Sequence, residues 1–283
     1  MNRFTIELLF HIIGIGSSSG LFLKDNSLYV IGDNSSYFYE YELKSSALKR
    51  YALSEYPAEN IMKKLKPDFE AMTFYGDSFY LFGSGSTENR TKMVQLNSTT
   101  KERISVLDLS ALYKNMQVLA GLNTENFNIE GVVRTGDTWY FFNRGNGNTG
   151  RNIVFTVHGK DLTGNTKITF AELKLPEIRG IQASFTDAIE VGDKFYFLAA
   201  AENTNSTYND GEVLGSIIGC IDVKTMKVVF TKEISDRHKF EGLTLQHNSG
   251  NELSFLLCED NDSDQLGADI YLLSLELADN YRY

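Results

Sequence analysis

The sequence predicts an all-β protein, a five-bladed β-propeller of four-stranded blades whose ring is closed by its own N-terminal strand. Three observations lead there. A short motif recurs five times along 283 residues, each recurrence contains four strand-like runs, and the last recurrence is one strand short while the N-terminus carries one strand too many. Repeats of 20–50 residues or a little more mark repeat architectures, and four antiparallel strands per repeat mark a propeller blade.

In chain order, the first element is FTIELLFHI, residues 4–12, an apolar-rich stretch with no partner nearby in sequence. The first repeat follows as SGLFLKDNSLYVIGDN, 19–34. The later repeats each open on an acid: Glu70 in EAMTFYGDSFYLFGSG, Glu130 in EGVVRTGDTWYFFNRGN, Asp187 in DAIEVGDKFYFLAAAEN and Glu241 in EGLTLQHNSGNELSFLLCEDN. Taking Ser19 as the equivalent in the first repeat, the intervals are 51, 60, 57 and 54 residues, which favours five blades over six. In the second repeat the predicted strands are 70–75, 78–83, 92–97 and 101–106, aromatic and β-branched runs parted by Gly, Asp and Asn turns. Between repeats two and three, 107-LDLSALYKNMQVLA-120 has helical spacing and predicts a short inserted helix. Pro57, Pro67 and Pro176 all fall in connections leading into a first strand, where a missing N–H is harmless. The fifth repeat supplies strands near 241–246, 252–258 and 268–277 and then the chain stops. Residues 4–12 are therefore expected to complete the last blade, removing open edges that would invite aggregation.

Composition fits one large repetitive domain spanning residues 1–283. Hydrophobic residues make up 42%, aromatics 12% and charged residues 23%, and mean hydropathy is −0.24, which describes a soluble globule. A net charge of −10 and a pI near 5.0 argue against a nucleic-acid partner, since phosphate binding needs a basic stripe. Cations and small-molecule ligands suit the chain better, as a monomer without a membrane partner. The opening MNRFTIELLFHIIGIG is broken by Glu7 and His11 and is too short to span a bilayer. The expected location is the cytoplasm, or the periplasm or exterior if a signal peptide has been removed. Cys220 and Cys258 lie in apolar runs and read as buried thiols.

Propeller geometry brings the starts of first strands and the ends of second strands to one face. Ser19, Glu70, Glu130, Asp187 and Glu241 are thereby expected around the axis, joined by Asp33, Asn34, Ser84, Asn143, Arg144, Asn146, Glu202, Asn203, Glu259, Asp260 and Asn261. Carboxylates crowded at an axis repel by several kcal/mol at an effective dielectric of about 20. They must bind a cation, pair with bases or hold protons. An all-oxygen donor set of Glu70, Glu130, Asp187 and Glu241 suits Ca²⁺, and the same acids can instead staple neighbouring blades through backbone N–H groups. Arg144 has either an anionic substrate group to grip or Glu130 to neutralise. His238, three residues before Glu241, stands where it can act as general acid or base. Catalysis is thus expected of His238, Glu241 and Arg144, while the acidic run 259-EDNDSD-264 reads as a solvated loop.

The stretches IGSSSGLFLKDNSLYVIGDN (15–34), NIEGVV with FFNRGN (128–146) and KFEGLT (239–244) resemble a group of bacterial propellers. That group holds esterase-like phytase domains, gluconolactonase and paraoxonase type calcium lactonases, and domains of unknown function, and the last are most similar. In the calcium lactonases an acid opening an inner strand holds the metal, and the resemblance implies this role for Glu70, Glu130, Asp187 and Glu241. The first repeat departs from it with Ser19. Three functions follow as expectations: Ca²⁺-dependent hydrolysis of an ester, lactone or phosphoester; glycoside cleavage by paired axial carboxylates; or a propeller that binds a ligand or protein without chemistry.

Overall fold

The computed structural model describes residues 3–145, 150–204, 211–259 and 266–277. Asn146, Asp260, Asn261 and most of the acidic run 259–264 lie outside the described residues.

Twenty of the strands form five four-stranded antiparallel sheets. Strand β1 (Phe4–Ile13) comes first. Blade one is β2 (Ser18–Lys24), β3 (Ser27–Gly32), β4 (Tyr37–Glu42) and β5 (Ala47–Ala52), and blade two is β6 (Phe69–Tyr75), β7 (Ser78–Gly83), β8 (Lys92–Asn97) and β9 (Arg103–Asp108). Helix α1 (Ser110–Ala120) leads to blade three, β10 (Ile129–Thr135), β11 (Thr138–Asn143), β12 (Asn152–His158) and β13 (Lys167–Leu173). A small ribbon of β14 (Glu177–Ile178) and β15 (Ile181–Gln182) precedes blade four, β16 (Ser184–Val191), β17 (Lys194–Asn203), β18 (Glu212–Asp222) and β19 (Lys227–Ser235). Blade five is β20 (Phe240–Asn248), β21 (Glu252–Glu259) and β22 (Gly267–Glu276), with β1 as its outer strand. The expected closure is realised: β1 pairs antiparallel with β22 from Phe4 opposite Leu275 to Ile13 opposite Gly267.

The five first strands touch one another in sequence, β2 to β6, β10, β16, β20 and back to β2, forming a ring about the axis. Burial follows position in the blade. All six residues of β3 and of β7 are buried, whereas the outer β5 and β9 hold only half-buried and exposed residues. The core is divided into five apolar wedges between adjacent blades. The wedge between blades two and three also takes α1, which buries Leu112, Tyr113, Met116 and Ala120 on one face. Gly121, left-handed at φ 65°, ends the helix by donating to the Gln117 and Val118 carbonyls, the conformation glycine adopts without a Cβ penalty.

Each first strand carries a β-bulge at its axial end. The displaced residue is Ser19, Glu70, Glu130, Thr186 or Glu241. In blade four the structural equivalent of Glu130 is thus Thr186, and Asp187 sits one place later, in register with Leu198. That next position faces the neighbouring blade and is small in the others: Gly20, Ala71, Gly131 and Gly242. At Gly131 a Cβ would lie 2.9 Å from the Ala188 nitrogen in the adjacent blade, so close packing of blades requires glycine there.

Candidate functional site

The bulges turn alternate side chains of the first strands onto the axis, and period-two alternation brings the residue two places earlier to the same side. These partners are Asp68, Asn128, Ser184 and Lys239. Two linked charge clusters result.

The first cluster joins blades one and two. Asp33, Asp68 and Glu70 each offer a carboxylate oxygen within 4.8 Å of the others. The Lys66 ammonium pairs with Asp33 and lies 2.8 Å from Asp68 Oδ1, while Arg90 Nη1 donates to Asp68 Oδ2 at 2.9 Å. The Ser84 hydroxyl also donates to Asp68. Asp68 Oδ1 is buried and accepts no hydrogen bond in good geometry. Burial, with Asp68, Glu130 and Asp33 adding to it, pushes the Glu70 carboxyl well above the usual range, and Lys66 counters only part of this.

The second cluster joins blades three, four and five. Arg144 Nη1 donates to Glu130 Oε1 at 3.1 Å and lies 3.9 Å from Glu241 Oε1, and its Nη2 is 2.9 Å from Glu202 Oε1. Lys239 Nζ stands 3.0 Å from Glu202 Oε1 and 2.8 Å from Glu241 Oε1. Asn128 donates its amide to Glu130 Oε1 at 2.5 Å. Burial works against the Arg144 charge, but Glu202, Glu130 and Glu241 outweigh it and keep the guanidinium ionised. Burial raises Glu130 as well, partly offset by Arg144 and Lys239. Glu202 would also rise on burial, yet Arg144 and Lys239 lower it to about 2.

Taken together, among the described residues six carboxylates (Asp33, Asp68, Glu70, Glu130, Glu202, Glu241) face four bases (Lys66, Arg90, Arg144, Lys239). Two negative charges are left over, so two protons or one divalent cation would balance the axis.

The structure divides the four expected metal-ligating acids. Glu70 joins Asp33 and Asp68, whereas Glu130 and Glu241 lie against Arg144 and Lys239. Asp187 leaves the ring and staples two blades, its Oδ1 accepting from its neighbour Ala188 N and its Oδ2 from Leu243 N of blade five, both at 2.7 Å. Burial pushes its carboxyl well up even though those N–H groups work the other way. Thr186, in the ring position, donates to the Phe240 carbonyl at 2.7 Å. Asn143 is a bracket, accepting from Asn128 N and donating to nearby carbonyls. Lys66, Asp68 and Lys239 were missed by counting only strand starts and ends; the two-residue period was the available signal.

His238 makes a separate unit. Arg237 Nε donates to its Nε2 at 3.2 Å, so Nδ1 carries the proton and donates to Glu259 Oε1 at 2.7 Å. Tyr271 donates to the other oxygen of Glu259 at 2.9 Å, and the imidazole packs beside Phe240 and Tyr271. Among the described residues, no helix is long and apolar enough to cross a membrane.

Fold and site define a closed five-bladed propeller with a buried, charge-rich axis. The chain belongs to a family of unknown function, DUF6929, whose signature matches residues 14–275. Among solved structures it is similar to the major Malassezia sympodialis allergen Mala s 1, with a TM-score of 0.61 at 9% identity over 98% of both chains. It is similar too to a bifunctional GH43-CE protein of Bacteroides eggerthii, with a TM-score of 0.59 at 13% identity over 96% of this chain and 34% of that one. The Myxococcus xanthus glutaminyl cyclase gives 0.51 at 11% identity over 97% of each chain. Identities this low speak to the fold alone. Comparison with curated proteins gives no match.

Proposed function

We propose that the protein is a Ca²⁺-dependent hydrolase of a small ester, lactone or phosphoester, with the cation held by Asp33, Asp68 and Glu70. The observation that carries this reading is the convergence of three carboxylates within 4.8 Å from two blades on an axis short of two positive charges. Fit is supported by Asp68 Oδ1, buried and met only by the Lys66 ammonium without a hydrogen bond in good geometry, and by a donor set made only of oxygen, which suits a hard cation. When bound, such a cation supplies Lewis-acid polarisation of a carbonyl or phosphoryl oxygen. The Lys66 ammonium, which joins Asp33 and Asp68, would withdraw to make room.

The remaining roles fall to the chain's own side chains. Arg144, Lys239, Glu130, Glu202 and Glu241 form a fixed, ion-paired floor that orients dipoles and excludes water. His238 is the group equipped to move a proton, because Glu259 fixes its Nδ1–H and leaves Nε2 as a base once the exposed Arg237 swings aside. A second reading, a propeller that binds without chemistry, is favoured by one specific observation: Lys66 already bridges two of the three carboxylates.

The test is hydrolysis of p-nitrophenyl acetate, p-nitrophenyl phosphate and δ-gluconolactone with and without EDTA. Activity that EDTA removes, Ca²⁺ restores and Glu70→Gln lowers by about a hundredfold is the expected result. Activity on none of these, or activity indifferent to EDTA, favours the binding reading.

A further inference from the structure

A cleft of about 250 Å³ opens beside the second charge cluster, between blades three and four, floored by Arg144 and Glu202 and walled by Gln182 and Ser184. Its polar groups fall into two kinds. Two of the charged ones are held in ion pairs, Arg144 between Glu130 and Glu202, and Glu202 Oε1 between Arg144 and Lys239, while the exposed Glu177 also lines the cleft and the buried Arg144 Nε makes no hydrogen bond among the described residues. An anion entering here would meet the carboxylates that hold Arg144, and a cation would have to compete with two bases for Glu202.

The uncharged groups are open. Ser184 is 3% exposed as a residue and lines the cleft, and among the described residues its hydroxyl has no hydrogen-bond partner, so it is free to serve a ligand there. The half-buried Gln182 places its amide donor and acceptor on the wall, and among the described residues neither it nor Glu202 Oε2 has a hydrogen-bond or ion-pair partner. Ser184 is placed there by the alternation that puts Asp68, Asn128 and Lys239 on the axis. The ribbon of β14 and β15 brings in Gln182, its tip anchored by Arg179 Nη2 donating to the Asp236 carbonyl at 3.1 Å.

We propose that this cleft binds a small uncharged polyhydroxylated compound, its hydroxyls donating to Glu202 Oε2 and the Gln182 carbonyl oxygen and accepting from Ser184 and the Gln182 amide. Vicinal hydroxyls are both donors and acceptors, so a sugar or cyclitol satisfies these three residues without disturbing the ion pairs. The inference does not depend on the cation proposed above and is tested without it.

Ligand-observed NMR in EDTA, with D-glucose, D-xylose, L-arabinose and myo-inositol as neutral probes and phosphate and putrescine as charged ones, identifies the preferred class. Calorimetry then measures that ligand against Ser184→Ala and Gln182→Ala, neither of which removes an ion pair. The expected result is binding of a neutral probe that each substitution weakens by about tenfold, with melts of the unliganded variants close to wild type. No neutral probe bound at about 10 mM, preference for phosphate or putrescine, or affinity unchanged in both variants would overturn the proposal.

Discussion

Asp187 illustrates how one position decides a residue's role. It stands next to the bulge instead of in it, so its carboxyl meets the backbone of the adjacent blade. Replacing Asp187 with Ala leaves two buried N–H groups without an acceptor, each costing about 1–3 kcal/mol. Urea unfolding is expected to show a loss of about 2–5 kcal/mol, with no change in any response to Ca²⁺. Glu202 carries the pH dependence of the second cluster. Its folded value of about 2 lies below the ordinary ~4.5 of an unfolded Glu, so between these values the unfolded chain binds more protons. The stability it contributes is present above pH ~4.5 and is lost as pH falls through ~2. In Glu202→Gln that acid-side loss shrinks in urea melts recorded from pH 6 to 2.5, and stability at neutral pH drops by about 3–5 kcal/mol because Arg144 and Lys239 lose a shared partner. Equal acid slopes in the two proteins would contradict the assignment.

At the scale of elements, β1 is the strand on which closure depends. Removing residues 1–12 exposes the edge of β22 and most of the apolar wedge cover supplied by Phe4, Ile6 and Phe10. The truncated chain is expected to aggregate or to melt well below the full chain, and an unchanged melting temperature would refute the role given to β1. This closure was legible because a missing last strand and a surplus first strand can be counted. The helix 110–120 was legible from its apolar spacing. The blade-four register was legible too, but by a different count: Ser19, Glu70, Glu130 and Thr186 each stand six residues before the turn residue Asp25, Gly76, Gly136 or Gly192, whereas matching acid to acid selects Asp187. The β14 and β15 ribbon is too short for any periodicity to show. The pairing of Glu130 with Arg144 was readable as one of two options, while the part of Lys239 depends on side chains from blades three, four and five meeting, which no local pattern records.

Across the whole molecule, a propeller axis gathers whatever each blade places at its bulge, so its charge is a sum that no blade sets alone. Here, among the described residues, the sum is two charges short of neutral. A cation that binds the native state and not the unfolded chain adds about 2.7 kcal/mol at 100 times its Kd, which for a chain of this length raises the melting temperature by several degrees. Ca²⁺ is expected to produce that rise in wild type and in Asp187→Asn, and to lose it in Asp68→Asn and Glu70→Gln. The most direct measurement is anomalous diffraction from crystals soaked in Mn²⁺ as a surrogate for Ca²⁺. The account predicts a peak on the axis about 2.1–2.6 Å from oxygens of Asp33, Asp68 and Glu70, with the Lys66 ammonium displaced. Lys66 still bridging Asp33 and Asp68, with no anomalous peak between the three carboxylates, would contradict it.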